Sequence, residues 1–230
     1  MEPDPWQAAV LHSTAPRILL NCSRQAGKST ITSVLALHTA LYTPDSLVLI
    51  ISRAERQATE LFRKCLDVYR RLGRPVAPAS EGVLHLELAN GSRIIGLPGK
   101  EETIRSFSGV RLIAIDEAAR VDDTLYKSLR PMLAVSAGRL IALSTPWGKR
   151  GWWYEAWASS EDWERYRVPA TDCPRIGAAF LAEERRALGP WFYEQEYLCV
   201  FGEAGDALFS HADVQASLSD DVPPLFADAE

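Results

Sequence analysis

One stretch, "RILLNCSRQAGKSTITSVLALHTALYT" (17–43), narrows the possible folds more than any other part of this chain. "RILLNC" is a short apolar strand. From Lys28 the apolar residues recur near a period of 3.6, and that helical pattern stops at Pro44. The turn between them contains Gly27 and nearly matches the phosphate-loop pattern G-x-x-x-x-G-K-[ST], with Cys22 in place of the first glycine. Cysteine has less backbone freedom than glycine but is small, and it fits there if its φ stays negative. A strand, a tight turn and a helix in this order point either to a phosphate cradle or to a plain strand–turn–helix with an exposed lysine.

The rest of the chain leaves room for such a domain. With 230 residues it holds one α/β domain and a smaller appendage. Hydrophobic residues make up 47% and charged ones 24%, an ordinary globular balance. A net charge of -5 argues against a surface that grips nucleic acid everywhere, but leaves a local basic groove open. Cys22, Cys65, Cys173 and Cys199 are scattered, without C-x-x-C pairs or zinc-ligand spacing, and read as reduced thiols of a cytosolic protein. The start, "MEPDPWQAAV", lacks a signal pattern, and runs such as "LVLII" (47–51) are strand-length rather than membrane-spanning.

Further along, "PDPWQAAVLHS" (3–13) reads as a short helix, "SLVLIIS" (46–52) as a strand buried on both faces, and "AERQATELFRKCLDVYRRLG" (54–73) as an amphipathic helix closed by Gly73. In "VLHLELANGSRIIGLP" (83–98), Leu84, Leu86 and Leu88 alternate with polar residues before Asn90-Gly91, predicting a hairpin. "GVRLIAIDEAARV" (109–121) is a strand running into acids, "DTLYKSLRPMLA" (123–134) is mostly helical, and "GRLIALSTP" (138–146) is another strand. This succession predicts an α/β fold, a mainly parallel sheet with helices on both faces. Beyond residue 150 the rhythm fades. "DWERYRVPA" (162–170) reads as an edge strand, and 177–201 as two helical pieces broken at Gly189-Pro190. The expected division is a core over 1–150, a small second subdomain over 151–210, and an acidic linker or tail over 211–230.

The acidic end of "LIAIDE" (112–117) strengthens the phosphate interpretation. An aspartate at the carboxyl end of a buried strand, beside the loop strand, can hold Mg²⁺, and the adjacent glutamate can polarise water as a general base. Asp116 and Glu117 also suit the start of a helix, where acids are favoured, and the two roles are compatible. Lys28 would reach phosphates, Ser29 would ligate Mg²⁺, and Thr30 stands beside it. The loop "GKS" and the strand end "AIDE" in this order predict a nucleotide-hydrolysing domain.

Taken together, "SRQAGKST", "TIRSFSGVRLIAIDEAARV" and "LSTPWGKRGWWYEAW" resemble the ATPase domain of the large terminase subunit of tailed bacteriophages. The resemblance runs from Trp6-Gln7 to about Phe209. It implies a P-loop fold of the ASCE type, with ATP and Mg²⁺ as ligands, and it anticipates the replaced glycine at Cys22. It implies that Gln7 reads the adenine edge, that Ser23, Arg24, Gln25, Ala26, Gly27, Lys28, Ser29 and Thr30 hold the nucleotide, and that Arg24 senses the γ-phosphate. Ser29 and Asp116 would hold the metal and Glu117 would be the base. Arg105, in "TIRSFSG", would be an arginine finger offered to a neighbouring subunit. Ser144-Thr145 would couple phosphate state to movement, with Thr145 near the reacting groups. Arg53 and Gln57 match a family motif loosely, and no role is drawn for them.

Each assignment has an ordinary structural counterpart: a solvated helix residue for Gln7, a surface ion pair for Arg105, a turn hydroxyl for Thr145. In "WGKRGWWYEAW", Trp153 and Trp157 read as core, while Lys149 and Arg150 are candidates for salt-sensitive phosphate contacts with DNA. The family works as a ring, expected to be a pentamer, with portal protein, the small terminase subunit and double-stranded DNA as partners, in the cytoplasm of the bacterial host. The family's ribonuclease H-type nuclease domain is not expected in this chain, which would then be a fragment or a truncation without DNA cleavage. A helicase-like P-loop ATPase and a nucleotide-binding prophage remnant are the alternatives.

Overall fold

The computed structural model describes residues 2–98, 104, 107–202 and 216–218. Its helices are α1 (Pro5–His12), α2 (Lys28–Tyr42), α3 (Glu55–Arg71), α4 (Asp123–Leu129), α5 (Gly151–Ala158) and α6 (Ala178–Glu196). Its strands are β1 (Arg17–Cys22), β2 (Leu47–Ser52), β3 (Pro78–Glu81), β4 (His85–Leu88), β5 (Arg93–Pro98), β6 (Val110–Asp116), β7 (Arg139–Ser144) and β8 (Glu164–Val168). All eight strands form one sheet in the order β3-β4-β5-β2-β6-β7-β1-β8. The pairs from β5 through β8 are parallel, and β3, β4 and β5 form an antiparallel meander at one edge.

The strand order corrects one expectation. β6, which ends in Asp116, does not neighbour the loop strand β1, because β7 lies between them and pairs with both. The connection from β6 to β7 runs through α4 and a 3-10 turn on either side of it, and these two strands stand side by side, while β1–α2–β2 crosses over two strands. Apolar runs alone do not encode this order, since every central strand is equally buried.

Side-chain alternation along the strands divides the core in two. Ile18, Leu20, Val48, Ile50 and Ile141 face α1, α2 and α3. Leu19, Leu49, Ile51, Ile113 and Leu140 face α4 and α5. Trp152 and Trp153 are buried in this second layer, with Trp157 packed partly exposed at its margin. Trp152 stacks on Tyr126 at 4.0 Å between centroids and donates its indole N–H to the Val121 carbonyl at 2.9 Å. These tryptophans are therefore core rather than a base-stacking surface.

The hairpin is present, with Gly91 at φ 81 in its turn. β3 beside it carries no alternating apolar pattern, because most of its residues are exposed. α6 is interrupted at Gly189, whose φ of 74 and ψ of 166 are not helical, next to Pro190. The sheet runs through β8, so the segment from 151 to 168 shares the sheet and core of residues 1–150. All four cysteines are free and buried. No described helix is long and apolar enough to cross a membrane.

Candidate functional site

β1 delivers the loop and α2 receives it. Cys22 ends the strand paired with Val168, keeps a negative φ, and is fully buried, so no glycine is needed at this position. Burial pushes its thiol well above the ordinary range, which leaves it a packing residue rather than a nucleophile. The left-handed positions fall later, at Gln25 with φ 61 and at Gly27 with φ 94. A Cβ on Gly27 would also meet the Gln7 Nε2 at 2.8 Å. Gly27 caps α2, so the free amides of the helix start and its positive dipole end face the loop.

The carboxyl ends of β6 and β7 complete the rim. Arg24, Gln25, Gly27, Lys28, Ser29, Thr30, Asp116, Glu117, Ser144 and Thr145 line one cavity of about 500 Å³, joined by Lys64, Arg120 and Arg175. Both sequence pairs, Lys28-Ser29 and Asp116-Glu117, thus border the same space. Five cationic side chains against two acids make it a basic focus on an acidic protein. The Lys28 Nζ donates to the Ser23 carbonyl at 3.3 Å, a bond within the loop that an incoming phosphate can replace.

The two acids are held differently. Burial raises the pKa of Asp116, opposed chiefly by the Lys28 ammonium and by the Glu117 amide, which donates to its Oδ1 at 2.9 Å. Glu117 has φ 51, a left-handed backbone costing about 1–2 kcal/mol for a residue with a Cβ. Such strain gathers where chemistry fixes a side chain. The Ser144 hydroxyl accepts the Ala119 amide at 3.2 Å and so ties the end of β7 to the turn that follows Glu117.

Gln7 lies against the loop, but its amide is already engaged. Its Oε1 accepts the Asp4 amide at 3.0 Å, and its Nε2 donates to the Ala26 carbonyl at 3.5 Å. Arg175 donates to both Asp4 carboxylate oxygens, at 2.9 and 2.6 Å, and to the same Ala26 carbonyl at 3.1 Å. Gln57 caps α3 through the Ala54 amide and lines a neighbouring cavity with Ser29, Lys64 and Asp116. Arg105 lies outside the described residues, as does most of the acidic tail.

Four residues at or beside this rim escaped sequence reasoning: Lys64, Arg120, Arg175 and Glu196. Arg120 sits in "DEAARV", three residues past Glu117, and was findable from that spacing; its NH1 is 3.8 Å from Glu117 Oε2. Lys64 was findable as the polar face of α3. Arg175 and Glu196 come from distant sequence and carry no local signal.

The family model described as "Terminase large subunit, T4likevirus-type, N-terminal" matches residues 19–216. The large terminase subunit of Thermus virus P23-45 is 26% identical over 251 residues, covering 93% of this chain and 51% of the relative. The chain thus spans about half the length of the curated relatives it matches. Among solved structures, the large terminase ATPase domain of Thermus phage P74-26 aligns with a TM-score of 0.77 at 21% identity, covering 87% of this chain and 94% of that one. The large terminase of another thermophilic bacteriophage, solved in complex with ATP-gamma-S, aligns with a TM-score of 0.69 at 14% identity, covering 86% and 52%. At these identities the structural matches establish the fold, an α/β architecture around a mostly parallel sheet.

Proposed function

The chain belongs to the terminase large subunit family, T4likevirus-type, of which it carries the N-terminal part, and on that premise we propose that it is the ATP-hydrolysing domain of a phage DNA-packaging motor. One observation carries the proposal: Lys28-Ser29 and Asp116-Glu117 line a single cavity at the sheet's rim. Lys28 and the first amides of α2 bind phosphate oxygens. Arg24 reaches the γ-phosphate, where a guanidinium adds charge as the transition state spreads it. Glu117 takes the proton of the attacking water. Ser144 and Thr145 couple the phosphate state to the turn after Glu117.

Ser29 and Asp116 fit Mg²⁺ by their chemistry, a hydroxyl and a carboxylate bordering one space. No described group of three or more His, Cys, Asp or Glu is gathered for a metal. Mg²⁺ supplies charge neutralisation at the phosphates. Beyond its bonds to Asp4 and Ala26, the Gln7 amide keeps a second N–H and a second oxygen lone pair, and with these it reads the adenine edge.

The wider assignments follow the family. Arg105 acts as a finger on a neighbouring subunit's ATP, in a ring whose fivefold order is taken from the resemblance, docked on portal protein. The family's lid corresponds to the subdomain expected over 151–210; with 151–168 held in the main sheet and core, the described residues 169–202 are left to move on nucleotide exchange. Double-stranded DNA is the cargo, the small terminase subunit a partner, and the bacterial cytoplasm the setting. No DNA cleavage is proposed for these residues.

The direct test is phosphate release. The purified protein with ATP and Mg²⁺ should release inorganic phosphate slowly, and chelating the metal should stop it. No release, even with DNA and portal protein present, would overturn the proposal.

A further inference from the structure

Glu196, the last residue of α6, stands 172 residues from the loop arginine it holds. Its Oε2 accepts the Arg24 Nε at 2.6 Å, and its main-chain carbonyl accepts the Arg24 amide at 3.3 Å. Its Oε1 lies 4.0 Å from the Arg120 NH2, while the Arg120 NH1 lies 3.8 Å from Glu117 Oε2. The Arg120 guanidinium sits 4.2 Å above the Trp147 ring, which fixes its plane. One carboxylate therefore bridges the loop arginine and the arginine beside the candidate base.

The burial of the two partners is unequal. The Glu196 side chain is 10% exposed and that of Arg24 is 60% exposed. A buried carboxylate is tolerated when paired, and here it faces two arginines. The Arg24 Nε is held by Glu196, while its side chain stays largely exposed and lines the cavity. Glu196 is also anchored from behind: the Tyr197 carbonyl accepts the Ala170 amide at 2.7 Å, and the Cys199 carbonyl accepts the Asn21 side-chain amide at 3.1 Å.

We propose that Glu196 is a positioning residue that presents Arg24 to the γ-phosphate and links that arginine, through Arg120, to Glu117. This rests on the nucleotide assignment above. It makes the end of α6 the point at which the presence of a γ-phosphate is felt outside the loop.

The test is a pair of equilibrium titrations with Mg²⁺, one with ADP and one with ATP-gamma-S, on the wild type, Glu196→Gln, Arg24→Ala and the double variant. The wild type should prefer ATP-gamma-S. Glu196→Gln should lose about tenfold of that preference, as expected for one charge-assisted contact, with ADP affinity unchanged. The double variant should lose no more than Arg24→Ala alone, because the two act as a unit. Glu196→Asp, which keeps the charge on a shorter arm, should fall between wild type and Gln, and it stands in if Gln fails to fold. An unchanged preference, additive losses, or an equal drop for both nucleotides would overturn the proposal. Failure of the wild type to bind either nucleotide would instead refute the nucleotide assignment, and this inference with it.

Discussion

Glu117→Gln should slow ATP turnover by roughly 10²–10⁴-fold while leaving nucleotide affinity within about threefold, the range expected when a positioned general base is removed. The amide keeps the shape of the side chain and its neighbours but cannot take a proton. The backbone supports a chemical role. Glu117 is held at φ 51, its amide donates to Asp116, and its side chain is 35% exposed at the cavity. A residue serving as a helix cap alone would not require that strain. Phosphate release measures the rate, and titration with a fluorescent ATP analogue measures the affinity. Turnover equal to wild type would remove Glu117 from the chemistry.

Lys28→Ala should weaken ATP binding by about 2–5 kcal/mol, the cost of withdrawing one partner from a desolvated charge pair. The fold should survive, since Lys28 opens α2 and alanine is a good helix former. The side chain's hydrogen bond to the Ser23 carbonyl stays inside the loop. The substitution also removes the ammonium that opposes burial at Asp116, whose pKa should then rise further. Titration calorimetry with ATP, beside a thermal melt, separates the two effects. Loss of the melt together with binding would mean that Lys28 is structural.

Much of this was legible in the sequence because it is local. The strand, turn and helix around Gly27 follow from apolar period and one special backbone position. The Asn90-Gly91 hairpin follows from a turn that needs a positive φ. Cys22 was readable too, since a strand-ending residue with negative φ has no use for glycine. Strand order was not legible: "RLIALS" looks like any other buried strand, and only backbone pairing puts β7 between β1 and β6. The polar ties that complete the site were hidden for a different reason. Asp4 with Arg175 and Arg24 with Glu196 join residues 171 and 172 apart, and charge pairing leaves no periodic trace in a sequence. Gln7 was half legible, in that its place beside the loop was expected but not the engagement of its amide by Asp4 and Ala26.

The decisive measurement is a structure of this protein bound to ATP-gamma-S and Mg²⁺. It should show one triphosphate in the rim cavity, with Lys28 and the α2 amides on its oxygens, Ser29 and Asp116 at the metal, and Glu117 facing the γ-phosphate. A nucleotide bound elsewhere, or phosphates that leave Asp116 and Glu117 untouched, would contradict the assignment of this rim as the hydrolytic site.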